Sequence, residues 1–383
     1  MISVDEALAL LEQHRPDFGT ETVSLEDANG RVLDADVVAT FSQPPAPTSI
    51  MDGFAFRKED LNQTLKVVGE SRAGRPYNGV LGAGEAVRIF TGAHLPSGAN
   101  HVEIQEYAER NEAALHFPKV SKGRDYIRPA GSDFKSGDML FRAGQSISPA
   151  VISALASANV ASVRVKRTPH IAILRCGDEL RPVGSVLNAD QIIDSNGPFL
   201  MSLLSQWGFH FTDLGLVPDD PEAIRDEISK CDADIIIPIG GASVGDYDFM
   251  KSVFLDVGFK PIFDKVAVKP GKPVWCSRRS EQIVLGLPGN PHSVWLCAYL
   301  FLSHLLGRAA KWQTYRLKSG LAANGVRERF IRGVLDQAGE VTPLNGRTGF
   351  ALSMAKATLF IRRAPMAKDV AAGDVVQCLQ ITE

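Results

Sequence analysis

Cysteine is scarce in this chain and badly placed for cross-linking. The 383 residues hold five, Cys176, Cys231, Cys276, Cys297 and Cys378, and none belongs to a C-x-x-C pair. A scattered, odd set fits reduced thiols and argues against a disulfide framework or a cysteine zinc site. The histidines show no metal-ligand spacing. No G-x-G-x-x-G follows a strand pattern, which removes a dinucleotide-binding dehydrogenase. The longest apolar run, 294–302, is far short of the ~20 residues that span a bilayer. Charge of one sign is also missing. With 41 Lys and Arg against 44 Asp and Glu the net charge is −3, so no bulk attraction to nucleic acid or membrane is expected. The opening MISVDEALALLEQH has early acids and a helical apolar pattern, not that of a signal peptide. A cytoplasmic protein is expected.

What is present changes texture along the chain. The length allows two to four domains. Residues 4–14 pattern as an amphipathic helix, and 23–39 alternate about Asn29-Gly30 as strands do. A stiff Gln-Pro-Pro-Ala-Pro linker follows at 43–47. Residues 48–134 are rich in glycine and β-branched residues and read as mainly β. Ser148-Pro149 starts a helix to about Ala158, and 162–165 is a strand. The segments before Pro45 and after about Phe134 therefore read as one module with the β domain inserted in it.

From His170 strands and helices alternate. Strands are expected at 170–174, 209–217 and 234–239, and helices at 198–207, 221–231, 249–257 and 291–306, with Ser195 or Asn196 capping the first. This predicts a three-layer α/β domain. After Gly307 the alternation stops, and strands at 329–335, 358–363 and 375–381 predict a small β domain.

Three tight turns carry most of the chemistry: IGGASVGDYD at 239–248, KPGKP at 269–273 and LPGNPHS at 287–293. Each follows a short apolar run, at 234–239, 266–268 and 283–287, and is expected at the carboxyl end of a sheet strand. Open α/β sheets bind ligands at that edge. Gly240 and Gly241 let backbone N–H groups approach a phosphate. Asp246 and Asp248 are either helix caps or carboxylates, one of which holds a Mg²⁺ against a ligand phosphate. Acids also fall after two further strands, at Asp178-Glu179 and Asp219-Asp220. Lys269 and Lys272 bracket Pro270-Gly271. Two point charges on a stiff loop suit a tetrahedral oxyanion, and a plain solvated turn is the alternative. In LPGNPHS, Asn290 caps a helix with Pro291 at its first position and Ser293 in its first turn. That is either a structural turn or an anion site. Asp52, Thr91, Arg128 and Asp133 read from chemistry alone as turn formers or surface groups. Cys176 has no neighbouring histidine in sequence and reads as a small buried residue.

Taken together the motifs resemble one family. MDGFA, TGAHLPSGA, IRPAGSD, CGDEL, DSN, GGASVGDYD, KPGKP and LPGNP stand in the order and at the spacing of MoeA-type molybdopterin molybdenumtransferases. This family includes the C-terminal domain of gephyrin. The resemblance runs from about residue 4 to residue 380. It implies a multidomain α/β and β fold. Domain I would be 1–43 with 135–165, mixed α/β and dimer-forming. Domain II, 44–134, would be the inserted β domain. Domain III, 166–308, would be the molybdopterin-binding α/β domain, and domain IV, 309–383, a β-barrel. It implies a homodimer that inserts molybdate into adenylated molybdopterin with Mg²⁺-dependent release of AMP. Transient contact with a molybdopterin adenylyltransferase and with molybdoenzyme-maturation proteins follows from that role.

By position, the resemblance makes Asp52, Asp133, Glu179 and Asp248 catalytic, with Asp248 and Glu179 on the metal. It assigns ligand binding to Thr91, Arg128, Asp219, Gly240, Gly241, Ser243, Lys269, Lys272, Pro288, Pro291, Ser293 and Ser353. This chain departs from the family at Cys176 for threonine, at Ser132 for glutamate, and at His292 for a small apolar residue. A further departure is Thr358, where asparagine is common. Two rivals remain. A molybdopterin adenylyltransferase would not need the MDGFA domain or the C-terminal barrel, and a non-catalytic scaffold has no long linker or appended module in its favour.

Overall fold

The computed structural model describes residues 1–111, 114–241, 249–308, 310–344 and 351–381. The chain divides into two compact units, 1–19 with 167–383, and 20–166.

The larger unit is built on a six-stranded mixed sheet. Its order is Phe211–Val217, Ile171–Cys176, Ile235–Ile239, Gln282–Gly286, Trp275–Arg279, Lys260–Phe263. The first four strands pair in parallel and the last two add on antiparallel. Ile171–Cys176 and Ile235–Ile239 are buried throughout. This is why IAIL and IIIPI read as apolar runs: a parallel strand covered on both faces has no solvent side. Alternate residues still part company. Ile173, Ile237 and Leu285 enter one core with Leu200, Leu204 and Val294, while Leu174, Ile236 and Val284 enter another with Ile224, Ile228 and Phe254. Helices Asn196–Gln206 and Pro291–Cys297 thus cover one face, and Pro221–Lys230 and Phe249–Asp256 the other. The three-layer α/β architecture is as expected.

Helix Val4–Gln13 joins the first of these cores through Val4, Ala7 and Leu11. A reciprocal capping box starts it: the Glu6 N–H donates to Ser3 Oγ, and the Ser3 N–H donates to Glu6 Oε2 at 2.7 Å.

Two local expectations need correction. The apolar run before KPGKP is not a strand of the α/β sheet. Its strand is Val268–Lys269, which pairs in parallel with the start of Glu328–Leu335 in the C-terminal sheet. The Glu328 N–H also donates to Ala267 O at 2.8 Å. The long helix expected at 291–306 is Pro291–Cys297, then a π-helical turn Ala298–Leu302, then Ser303–Leu305.

The C-terminal strands close on themselves. Around the ring run Glu328–Leu335, Glu340–Pro343, Trp312–Leu317, Val375–Gln380 and Leu359–Arg363, and the last pairs back onto the first from Arg329↔Arg363 to Gly333↔Leu359. Leu317, Val341, Ile361 and Cys378 fill the inside of this five-stranded barrel. Closure removes the exposed edges a small sheet would otherwise carry.

The smaller unit has its own cores. Thr20–Ser24 pairs antiparallel with Ser162–Lys166 beside helix Pro149–Ser157, whose N-cap Ser148 accepts from the Val151 N–H. A separate six-stranded sheet runs His101–Ile104, Gly53–Phe56, Glu85–Ile89, Leu65–Ser71, Ala114–His116, Glu109–Asn111. Among the described residues of the whole chain, no helix is long and apolar enough to cross a membrane.

Candidate functional site

A cleft of about 560 Å³ opens beyond the carboxyl ends of Ile171–Cys176 and Ile235–Ile239 in the larger unit. One wall is the turn after Ile239. Gly240 adopts φ +87°, and a Cβ there would lie 2.4 Å from the Cys176 carbonyl oxygen. Only glycine lets these two strand ends come so close. The Gly240 N–H donates to Leu287 O at 3.2 Å, tying this turn to the LPGNP turn, whose Pro288, Pro291 and Ser293 form the facing wall. Asn290 caps the helix there through its side chain, which accepts from the His292 N–H at 3.0 Å.

Two acidic loops form the rim, and they are clamped together. The Asp219 N–H donates to Asp178 Oδ1 at 3.1 Å, and the Asp178 N–H donates to Asp219 Oδ2 at 3.4 Å. Glu179 and Asp219 both line the cleft. The Cys176 thiol donates to Asp219 Oδ1 at 2.8 Å. Burial, and then the neighbouring Asp219, push that thiol well above its ordinary pKa. Cys176 is therefore a protonated hydrogen-bond donor that orients Asp219, and not a nucleophile, since the thiolate is the reactive form.

Beneath the cleft lies a charged group that sequence reasoning passed over. Arg175 sits in the buried strand and bridges two carboxylates: one guanidinium nitrogen donates to Asp194 Oδ2 at 2.7 Å, the other to Asp213 Oδ1. Asp194 in turn caps helix Asn196–Gln206, accepting the Asn196 and Gly197 N–H groups on Oδ1, both at 3.0 Å. The sequence had suggested Ser195 or Asn196 as the cap. Ser195 makes no side-chain cap bond, and the capping carboxylate is one residue earlier. Asn196 is freed for another contact, and its Nδ2 donates to Gly289 O at 2.8 Å. A lone arginine inside the run IAILRC was the available signal for this network.

The remaining candidates lie elsewhere. Lys269 and Lys272 are exposed, and of their turn only Pro273 lines the cleft. Ser353, on the short helix Ala351–Ala355, accepts a hydrogen bond from the buried Arg332 guanidinium. His292 is buried and stacks on Phe360, ring centres 6.0 Å apart at 17°. Among the described residues neither of its ring nitrogens has a hydrogen-bond partner. Burial, helped by the Arg332 charge, lowers its pKa to about 4, so the ring is neutral at pH 7. Ser243, Asp246 and Asp248 lie outside the described residues. Among the described residues no group of three histidine, cysteine or acidic side chains is arranged to hold a metal.

In the smaller unit, strand Thr48–Ser49 gathers the other four candidates. It pairs with Ile127–Arg128 on one side, and Ser49 O accepts from the Gly92 N–H at 2.8 Å on the other. The Thr91 N–H and Oγ1–H both donate to Asp52 Oδ1 at 2.8 Å, and these bonds hold the Asp52 carboxyl below the ordinary carboxylate range. Arg128 Nε donates to Ser132 Oγ at 3.0 Å, with its Nη2 3.8 Å from Asp133.

This chain can be placed among known proteins. Residues 2–159 match the family described as the MoeA N-terminal region (domain I and II), and residues 172–308 match the one described as a probable molybdopterin binding domain. A protein of Haemophilus influenzae named molybdopterin molybdenumtransferase is 36% identical over 314 residues, covering 80% of this chain and 78% of its own length. One of the same name from a Nostoc species is 35% identical over 336 residues, covering 82% and 77%. The crystal structure of a molybdopterin biosynthesis MoeA protein from Pyrococcus horikoshii superposes with a TM-score of 0.87 at 27% identity, covering 100% of both chains. With relatives this similar over most of their length, the chain belongs to the MoeA family of molybdopterin molybdenumtransferases.

Proposed function

We propose that this protein is a molybdopterin molybdenumtransferase that inserts molybdate into adenylated molybdopterin and releases AMP. The observation that supports this best is the cleft. Carboxylates from two strand ends, Glu179 and Asp219, share it with the Gly240-Gly241 turn and the Pro288–Pro291 turn, inside the stretch that matches the molybdopterin-binding family. Backbone approach at Gly240 suits the phosphates of an adenylated pterin. Lys269 and Lys272 are charges on a turn whose Pro273 reaches the cleft, and we assign them to the molybdate dianion.

Mg²⁺ fits the donors present. Asp219 has both oxygens committed to Cys176 and Asp178, whereas no hydrogen bond claims the carboxylate of Glu179 among the described residues. Mg²⁺ prefers one or two carboxylates plus ligand phosphate oxygens. Glu179, with Asp248, would hold it, and the ion would polarise the phosphoanhydride so that AMP becomes a better leaving group. Half-buried Asp52, with the exposed Thr91, Arg128 and Asp133, would complete the site of a second subunit in a homodimer. The four-domain division, residence in the cytoplasm, and hand-over contacts with an adenylyltransferase and with molybdoenzyme-maturation proteins belong to the same proposal.

The test uses purified protein with Mg²⁺ and either ATP plus molybdopterin or adenylated molybdopterin, each with and without molybdate. AMP is expected only from the adenylated pterin, and much faster with molybdate. Pyrophosphate released from ATP, dependent on molybdopterin and indifferent to molybdate, would instead identify an adenylyltransferase.

A further inference from the structure

Asn196 lines the cleft and is 9% exposed. Its amide nitrogen is spoken for by the Gly289 carbonyl at 2.8 Å, and a carbonyl can accept only from the nitrogen end, which fixes the amide orientation. Its backbone N–H is held by Asp194. The side-chain oxygen has no hydrogen-bond partner among the described residues, nor is it sealed from solvent. A nearly buried acceptor is thus held at the cleft wall with no described residue donating to it. Because this oxygen still meets the water of the cleft, a donor on the ligand can take that water's place.

The character of that donor follows from the surroundings. A carbonyl oxygen repels phosphate, so Asn196 does not face the anionic part of the ligand. The same cleft is lined in part by Leu180, Ile192, Pro288 and Pro291, apolar and suited to the face of a flat ring. We infer that Asn196 is a recognition residue whose Oδ1 accepts a hydrogen bond from an exocyclic amino group on the ligand's heterocycle. The inference rests on the cleft being the site of an adenylated pterin, as proposed above. Both halves of that ligand, the adenine and the pterin, carry one such amine. Arg175 acts behind it as a positioning residue, because its bridge to Asp194 holds the turn that presents Asn196.

The experiment measures binding by calorimetry to the intact protein, using two pairs of probes. One is AMP against purine riboside 5′-monophosphate, which lacks the 6-amino group. The other is pterin-6-carboxylate against the same pteridine without its 2-amino group. In one pair the wild type should lose ~3- to 10-fold in affinity with the amine, the worth of one neutral hydrogen bond. In Asn196→Ala the same pair should bind with a ratio near one, and the pair that collapses names the half of the ligand seated there. Equal affinities within both pairs in the wild type, or discrimination that survives in Asn196→Ala, overturn the assignment while leaving the cleft proposal standing. Failure of the wild type to bind AMP and the pterin overturns both. If Asn196→Ala does not fold, Asn196→Ser takes its place, with the same collapse of one pair expected and its survival overturning the assignment.

Discussion

Two carboxylates in this chain are held by hydrogen bonds in opposite ways. Asp194, in the α/β unit, is 3% exposed and takes one arm of Arg175 on one oxygen and two backbone N–H groups on the other. Asp52, in the smaller unit, sits at the surface and takes both its donors from the single residue Thr91. The first is bound to groups 19, 2 and 3 residues away and ties a strand to a helix. The second ties one loop tip to another. Burial makes the first arrangement expensive to break, because an orphaned charge cannot turn to water. Exposure makes the second cheap to break and easy to re-form around a ligand. The α/β unit therefore offers a preorganised wall, and the smaller unit a set of groups that water already satisfies.

The contrast is sharpest at Arg175. Arg175→Met would leave Asp194 buried without its cation and Asp213 without its partner. Breaking one side of a buried pair costs about 3–5 kcal/mol. A urea titration should show a loss of that size, with Arg175→Lys recovering part of it. A loss under about 1 kcal/mol would mean that Asp194 is wetter than its burial indicates.

Next in size is the pH response of His292. Its folded pKa is about 4, below the ordinary 6.5, so the unfolded chain binds the proton more readily. Stability contributed by the neutral ring is therefore complete above about pH 6.5 and is lost as pH falls toward 4. At ~1.4 kcal/mol per unit the full swing is about 3 kcal/mol. His292→Leu should flatten the stability profile across that window while leaving the carboxylate-driven loss at lower pH. An unchanged profile would show that the ring takes up its proton equally readily folded and unfolded.

Gly53 brings the comparison to the smaller unit. A Cβ there would stand 2.0 Å from the Glu103 carbonyl oxygen in the neighbouring strand. Glu103 is fully buried, with its carboxylate taking Ser121 Oγ at 2.7 Å and the Ser121 N–H at 2.9 Å, so that backbone cannot simply retreat. Gly53→Ala should cost ~1–3 kcal/mol, the usual penalty of overpacking. It should also displace the adjoining Asp52, visible as a changed Asp52 titration by NMR. A neutral substitution would show that strand Gly53–Phe56 can slide.

These features differ in how far the sequence disclosed them. The α/β layers were legible because strands buried on both faces leave continuous apolar runs such as IAIL and IIIPI. The acids at strand ends were legible for the same reason: once the strands are placed, the residues after them are at the ligand edge. Val266–Val268 misled because an apolar run records burial and not its partner. The partner, Glu328–Leu335, lies some sixty residues later in a different sheet. Lys260–Phe263 and Trp275–Arg279 were missed as strands. The first, at the sheet edge, carries Pro261, and the second, inside the sheet, ends in Ser-Arg-Arg, so neither shows a clear strand pattern. Arg175 and Asp194 were invisible as a pair because a side-chain bridge leaves no period in the chain. The barrel's closure was hidden likewise, since it depends on the second and fourth barrel strands in sequence meeting in space.

The smallest effect tests the exposed half of the comparison. Thr91→Val removes one of the two bonds to Asp52 and keeps the other, because the backbone N–H remains. Thr91 is exposed, so the fold should lose no more than about 0.5 kcal/mol. Asp52 should nevertheless respond. Its pKa is lowered first by the Thr91 N–H and second by the Thr91 hydroxyl, so losing the hydroxyl should move its titration part of the way back up. The direction follows from the chemistry: both bonds favour the ionised carboxylate, and removing one favours the proton. The measurement is the Asp52 side-chain carboxyl shift against pH in wild type and Thr91→Val, beside their unfolding curves. A raised midpoint with unchanged stability is the expected pair of results, and it separates a loop that tunes a carboxylate from one that holds up a fold. A large stability loss with no change in the midpoint would reverse the assignment and make Thr91 a brace of the kind found at Asp194.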